Sequence, residues 1–300
     1  MKISAIIVTH NRLELLNKCI NAIRFQIRKP DAIIVVNNGS TDGTVDWLKN
    51  QNDLIVITQT NLGGAGGQYT GIKEAYRRGY DWMLCMDDDT IPDAQALSTI
   101  ENVIKQFDID TRTGGKLGWI CSQVLWTDGS VFEMNAPVLT TPAIWTNRVL
   151  TDRIIPANCS SFVSICFSRE AVKAVGFPLK EYFIWLDDIE YTTRITGANF
   201  IGLLALDSKA IHSTKHNKTS ITEELNWNSR TKFRYGYRNT ARTLRTGTKG
   251  IVRFCYRFFN HLISTAVDLY IHKKTLWIPW AIFWLKVGLF FNPKAEKPTD

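Results

Sequence analysis

The stretch Trp82-Met-Leu-Cys-Met-Asp87-Asp88-Asp89 decides the fold: five apolar residues run without a break into three carboxylates. An apolar run of this length reads as a strand buried on both faces. Three adjacent carboxylates repel one another unless a cation neutralises them, so a strand end that carries them points to a cation-dependent site. The same grammar repeats upstream, with apolar runs at 3–9, 32–36 and 54–58. Between the runs, Leu13, Leu16, Ile20, Ile23 and Ile27 recur at helical spacing, Val45 and Leu48 mark a short helix, and 69–78 reads as a helix that Gly79 ends. Pro92 is expected to open a further helix to about Phe107. Strands alternating with helices through short connections predict a mostly parallel α/β sheet with helices on both faces. Ligands bind such sheets beyond the carboxyl ends of the strands. Here those ends are 9–12, 37–42, 61–67 and 87–89, all polar or glycine-rich, and they are expected to form one rim.

The chain is less regular from 111 to 228. Residues 117–126 and 131–134 suggest a hairpin around Asp128-Gly129, and 160–167 a strand. A helix over 169–175 stops at Gly176, another covers 189–195, and a strand over 199–206 precedes His212. The last quarter reads as helical, with Arg230, Arg234, Arg238 and Arg242 in one stripe and Phe233, Tyr237, Ala241 and Leu244 on an adjoining face. Residues 251–271 are amphipathic, with Arg253, Arg257, Asn260 and His261 as polar members. The Trp-rich segment at 275–291 is short for a spanning helix, which needs about 20 apolar residues, and suits a helix lying in a membrane interface.

Charge separates the two parts. The chain has 36 Lys+Arg and 28 Asp+Glu, a formal net charge of +8. Residues 229–300 hold 14 Lys+Arg against 3 Asp+Glu, and residues 1–228 hold 22 against 25. The body is therefore slightly acidic and the tail carries the whole basic excess. A boundary is expected there, with 1–228 as catalytic domain and 229–300 as a basic, aromatic, membrane-associating region. A nucleic-acid arm is disfavoured, because the tail alternates its charges with bulky aliphatics and Trp. The six cysteines form no Cys-x-x-Cys pair, which argues against zinc and redox motifs and for a reducing compartment.

Three further constellations bear on chemistry. Asn61-Leu-Gly-Gly-Ala-Gly-Gly opens a helix and lets backbone approach a ligand closely, or else makes a plain tight turn. Trp185-Leu-Asp187-Asp188-Ile-Glu190 sets acids beside aromatics, which suits a general base with a raised pKa, or a helix start with acids placed for the dipole. His212 is of interest only if it completes a shell begun by the Asp cluster.

With these motifs in order, residues 1–215 resemble the inverting glycosyltransferases of family 2, with a GT-A fold. Residues 6–12 look like that family's opening strand and nucleotide loop, and Val35-Val-Asn37-Asn38-Gly-Ser-Thr-Asp42 like its V-V-D-[DN]-G-S-T-D signature. Asn37 departs from the usual Asp, which puts one loop hydrogen bond in question. Asp87-Asp88-Asp89 falls at the D-x-D motif and Asp187-Asp188-Ile-Glu190 at the base motif. The fold implied is GT-A: Rossmann-like, with a C-terminal amphipathic helical region added.

The resemblance implies that Asp87, Asp89 and His212 hold Mn2+ or Mg2+ and that Asp188 is the base. It implies that Thr9, Asn11, Arg12, Asn38, Asn61, Gly63, Gly64 and Asp88 bind a nucleotide-sugar donor, and that Trp185 and Asp187 face the acceptor. Within the family the chain looks most like galactofuranosyltransferases, with dTDP-rhamnose-dependent rhamnosyltransferases next. The expected acceptor is a glycan or lipid-linked glycan. The expected location is the cytoplasmic face of the inner membrane, held peripherally through 229–300 on anionic lipid. The tail can instead pack on a second subunit as part of an oligomer.

Overall fold

The computed structural model describes residues 1–109, 115–140, 152–217 and 221–299. Its centre is a mixed sheet. Strands β1 (Ile3–Thr9), β2 (Ala32–Asn37), β3 (Leu54–Thr58) and β4 (Trp82–Asp87) are parallel and occupy one half. After β4 the chain turns at Asp88-Asp89 into β5 (Thr90–Pro92). The other half contains β6 (Lys116–Leu125), β7 (Val138–Leu139), β8 (Ile154–Cys159), β9 (Ile165–Ser168) and β10 (Phe200–His212). The spatial order is β3-β2-β1-β4-β9-β6-β10-β8-β7, with β5 paired antiparallel to the end of β10.

Helices α1 (Leu13–Arg24), α2 (Thr44–Lys49) and α4 (Ala96–Ile109) lie with one core layer, where Leu16, Ile20, Leu97 and Ile104 are fully buried. Helices α3 (Gly63–Arg77), α5 (Arg169–Val175) and α6 (Asp187–Gly197) cover the opposite face through Ile72, Val172 and Ile195. The architecture is the expected GT-A arrangement. A short α7 (Ile221–Glu224) leads to α8 (Arg230–Thr246), α9 (Ile251–Ile271) and α10 (Ile278–Phe290). These helices close a separate apolar cluster around Leu225, Phe233, Leu269 and Leu285.

Several local expectations change. The helix read over 69–78 starts earlier: α3 begins at Gly63, and the glycines are its first turns. Gly67 and Gly71 are small because the helix lies hard on the sheet. A Cβ at Gly67 would stand 2.3 Å from Val8 Cγ1, and one at Gly71 2.2 Å from Ile6 Cγ2. Pro92 ends β5 rather than opening a helix, and α4 starts at Ala96. Ile27 falls beyond α1 and is 69% exposed. The hairpin reduces to a single bridge from Leu125 to Val131, followed by a 3-10 turn. Strand 160–167 begins only at Ile165, and β8 before it has no clear sequence signal, since Pro156 argues against a paired strand.

No helix of the described residues is long and apolar enough to cross a membrane. The tail also differs in orientation from its sequence reading. His261 turns inward, and its imidazole is held below the usual range by burial. Apolar Tyr256, Phe259, Ile263 and Tyr270 face out at 61–71% exposure.

Candidate active site

The pairing of β5 with β10 builds the site's acidic floor. His212 stands opposite Thr90, directly after the triple-Asp turn. Ligand atoms of Asp87, Asp89 and His212 thereby fall within 4.8 Å of one another. His212 Nδ1–H donates to Asn135 Oδ1 at 2.8 Å, which leaves Nε2 facing Asp89 Oδ1 at 2.9 Å. Burial, followed by repulsion from Asp89, pushes the Asp87 carboxyl up to about 7. Two carboxylates and an oriented imidazole, one carboxylate disfavoured when charged and uncompensated, make a donor set that fits Mn2+ or Mg2+. Arg12 supplies the nearest positive charge, with Nη1 2.6 Å from Asp89 Oδ2 and 3.3 Å from Asp88 Oδ1.

A cleft of about 710 Å³ opens above this floor. Thr9, Arg12, Asn38, Asn61, Gly63 and Gly64 line it on the parallel half of the sheet. Asp87, Asp88, Trp185, Asp187, Asp188 and His212 line it as well. Asp89 sits just below the surface, its oxygens held by Arg12 and His212. Asn11 lies outside the cleft lining: at φ 53° it receives the Thr41 N–H at 2.6 Å and braces the first loop.

Much of the rim's polarity goes into building the rim. Thr9 Oγ1 donates to Asp88 Oδ2 at 2.8 Å, which ties the ends of β1 and β4 together. Asn38 Oδ1 accepts from Leu62 N at 3.1 Å, and its Nδ2 donates to Gly63 O at 2.9 Å, so it shapes the entry to α3. Asn37 Oδ1 still accepts from Ser40 N at 3.1 Å, so the loop bond questioned from the sequence is present. Gly64 differs from the other four glycines between 63 and 71: a Cβ added there would meet no heavy atom within 4 Å, and the residue borders the open cleft.

Across the cleft, α6 begins at Asp187 after Leu186 in left-handed conformation. Burial pushes the Asp188 carboxyl up to about 6. Burial and the neighbouring Asp188 charge raise Asp187 well above the carboxylate range. A carboxylate whose pKa burial raises toward neutrality can take a proton from a hydroxyl held against it. Glu190, the motif's third acid, is bound to Arg194 at 3.1 Å. The Trp185 ring leans on Phe233 at 5.0 Å and carries Lys232 Nζ 4.6 Å from its centroid.

Sequence reasoning missed the contribution of the C-terminal quarter: Glu224, Lys232 and Phe233 complete the wall beside Trp185. It also missed Gln68 and the 161–163 segment, which carry no motif of their own, and His10, which lies within the 6–12 motif but was not singled out.

Residues 4–130 match the family model described as Glycosyl transferase family 2. Over 205 residues the chain is 30% identical to galactofuranosyltransferase GlfT1 of Mycolicibacterium smegmatis, covering 64% of this chain and 65% of that relative. The match therefore spans just under two thirds of that relative's length. Two solved structures share the fold. One is S. aureus TarS 1–349 in complex with UDP-GlcNAc, with a TM-score of 0.54 at 16% identity, covering 81% of this chain and 66% of that one. The other is mannosyltransferase PcManGT from Pyrobaculum calidifontis in complex with GDP-Man and Mn2+, with a TM-score of 0.51 at 16% identity, covering 96% and 74%.

Proposed function

We propose, for a chain whose residues 4–130 match the family model described as Glycosyl transferase family 2, a divalent-cation-dependent, inverting sugar transfer in the synthesis of a bacterial cell-envelope glycan. The donor is a nucleoside-diphosphate sugar, read as UDP-galactofuranose from the likeness to GlfT1. The acceptor is a growing, lipid-linked glycan. The observation that carries this reading is a division of labour within one cleft. Asp87, Asp89 and His212 converge on one ion-sized point, while Asp188 stands apart from them with a carboxyl raised to about 6.

Each residue then has a task. Asp87, Asp89 and His212 hold Mn2+ or Mg2+, which when bound offsets charge on the donor diphosphate and on the departing nucleoside diphosphate. Thr9, Arg12, Asn38 and Asn61 border the nucleoside end, with Asn11 and Asp88 bracing that rim. Gly63 and Gly64 leave room for the sugar diphosphate. Asp188 takes the proton from the acceptor hydroxyl as that oxygen attacks the anomeric carbon from the face opposite the leaving group. Asp187 stands beside Asp188 on the acceptor side, and Trp185 offers a flat apolar surface to the acceptor. The outward apolar face of α9, with Arg253 and Arg257, rests on the cytoplasmic leaflet and brings the cleft to a lipid-borne acceptor.

A donor screen tests the reading. With Mn2+, turnover is expected for UDP-galactofuranose and is expected to stop on chelation. Turnover of dTDP-rhamnose alone would reassign the sugar. Full turnover after metal removal would contradict the cation role.

A further inference from the structure

We infer that Asn239 of α8 is a positioning residue that sets Asp188 by clamping the backbone ahead of it, an inference that rests on the proposed role of Asp188 as base. The segment entering α6 is strained. Phe183, Trp185 and Leu186 all have positive φ, at 65°, 66° and 65°. Side chains rarely adopt this region, and it persists only where surroundings over-determine it.

The surroundings here come from two helices. Arg238 Nη2 donates to Glu181 O at 2.6 Å and Tyr182 O at 3.2 Å. Ala65 N, in the glycine-rich start of α3, donates to Phe183 O at 3.1 Å. Asn239 Nδ2 lies 3.0, 3.0 and 2.9 Å from Tyr182 O, Ile184 O and Trp185 O, its two N–H groups shared among the three carbonyls. Carbonyls 181 to 185 are thus all gripped from outside the segment, three of them by one amide nitrogen.

Asn239 is fully buried. An amide so placed is costly unless bonded, and no apolar side chain could hold three converging carbonyls. The next residue in the chain, Leu186, is the N-cap of α6, whose first turn carries Asp187 and Asp188. The position of the base relative to the cation trio is therefore inherited from the clamp. The basic tail takes part in the chemistry through this contact.

Asn239→Asp keeps the shape but turns oxygen toward the carbonyls. In the full-length protein with Mn2+, donor and acceptor, kcat for transfer is expected to fall about 10- to 100-fold, the scale of an ångström-sized misplacement. Donor KM is expected to stay within about twofold, because the donor rim is untouched. The acid limb of kcat is expected to move from its wild-type position. A purely structural role would lower the yield or melting temperature and leave both readouts of the folded fraction alone. Arg238→Met reads the same clamp at a half-buried position, with a several-fold loss of kcat expected. Wild-type kcat and acid limb in whichever variant folds overturns the inference. Asp188→Asn run alongside separates the two ideas. If it transfers normally, the base reading fails; if it is inactive while Asn239→Asp is fully active, only the clamp fails.

Discussion

Asp187 and Asp188 are neighbours with the same side chain in different surroundings. Both are raised by burial, but Asp187 also carries the penalty of the Asp188 charge, and Asp188 settles at about 6. Among the described residues, the titratable groups that feel the Asp188 charge are Asp187 on its own helix and the Cys159 thiol from β8, which burial raises; Lys232 from α8 lines the same cleft. A base works in its ionised form. Activity should therefore rise as pH increases through about 6 and level off above it, since the raised pKa places the titration there. A pH profile of kcat/KM checks this, and an acid limb near the ordinary carboxylate value of about 4 would contradict it. The sequence locates these acids through their motif and their aromatic neighbours. The split between them is not legible there, because it depends on which carboxyl the fold buries deeper.

The instructive element is α3. Its glycines suggest a ligand-cradling segment, whereas Gly67 and Gly71 serve close helix–sheet contact and Gly63 and Gly66 pack on Phe183 and Leu62. The two uses separate by substitution. Gly67→Ala forces a Cβ to 2.3 Å from Val8 Cγ1 and is expected to cost about 1–3 kcal/mol by overpacking. Gly64→Ala meets nothing within 4 Å and should keep or raise the melting temperature, while weakening donor binding if the sugar diphosphate lies there. Equal melting temperatures for the two variants would refute the packing account. The parallel strands are legible because each contains an unbroken apolar run of four or five residues. Strands β5 and β8 are not, because each contains a proline, Pro92 or Pro156, and is defined by its pairing with β10. Asn239 leaves no trace in the sequence, since one amide in a basic helix has no pattern; only the carbonyls opposite it reveal its role.

At the scale of the whole molecule, the charge partition gains a second meaning. Composition points the tail's basic excess toward lipid. Half of its arginine stripe instead faces the body: Arg238 binds carbonyls there, and Arg242 Nη1 reaches Tyr182 Oη at 3.2 Å. Arg245 is spent within the tail, on Leu289 O at 2.7 Å. The face we propose for a membrane is the outer side of α9, where Phe259, Ile263 and Tyr270 are 61%, 62% and 71% exposed; Leu276 and Phe290 are exposed beyond it. Replacing those three by Glu is expected to abolish co-sedimentation with anionic vesicles and to leave transfer to a soluble acceptor near the wild-type rate. Unchanged co-sedimentation would move the membrane contact elsewhere. The central claim concerns the cleft, and Asp188→Asn tests it most directly. With Mn2+, a nucleotide-sugar donor and an acceptor, transfer by this variant is expected to fall by about 10²- to 10⁴-fold, with donor affinity retained. Transfer near the wild-type rate would contradict the account.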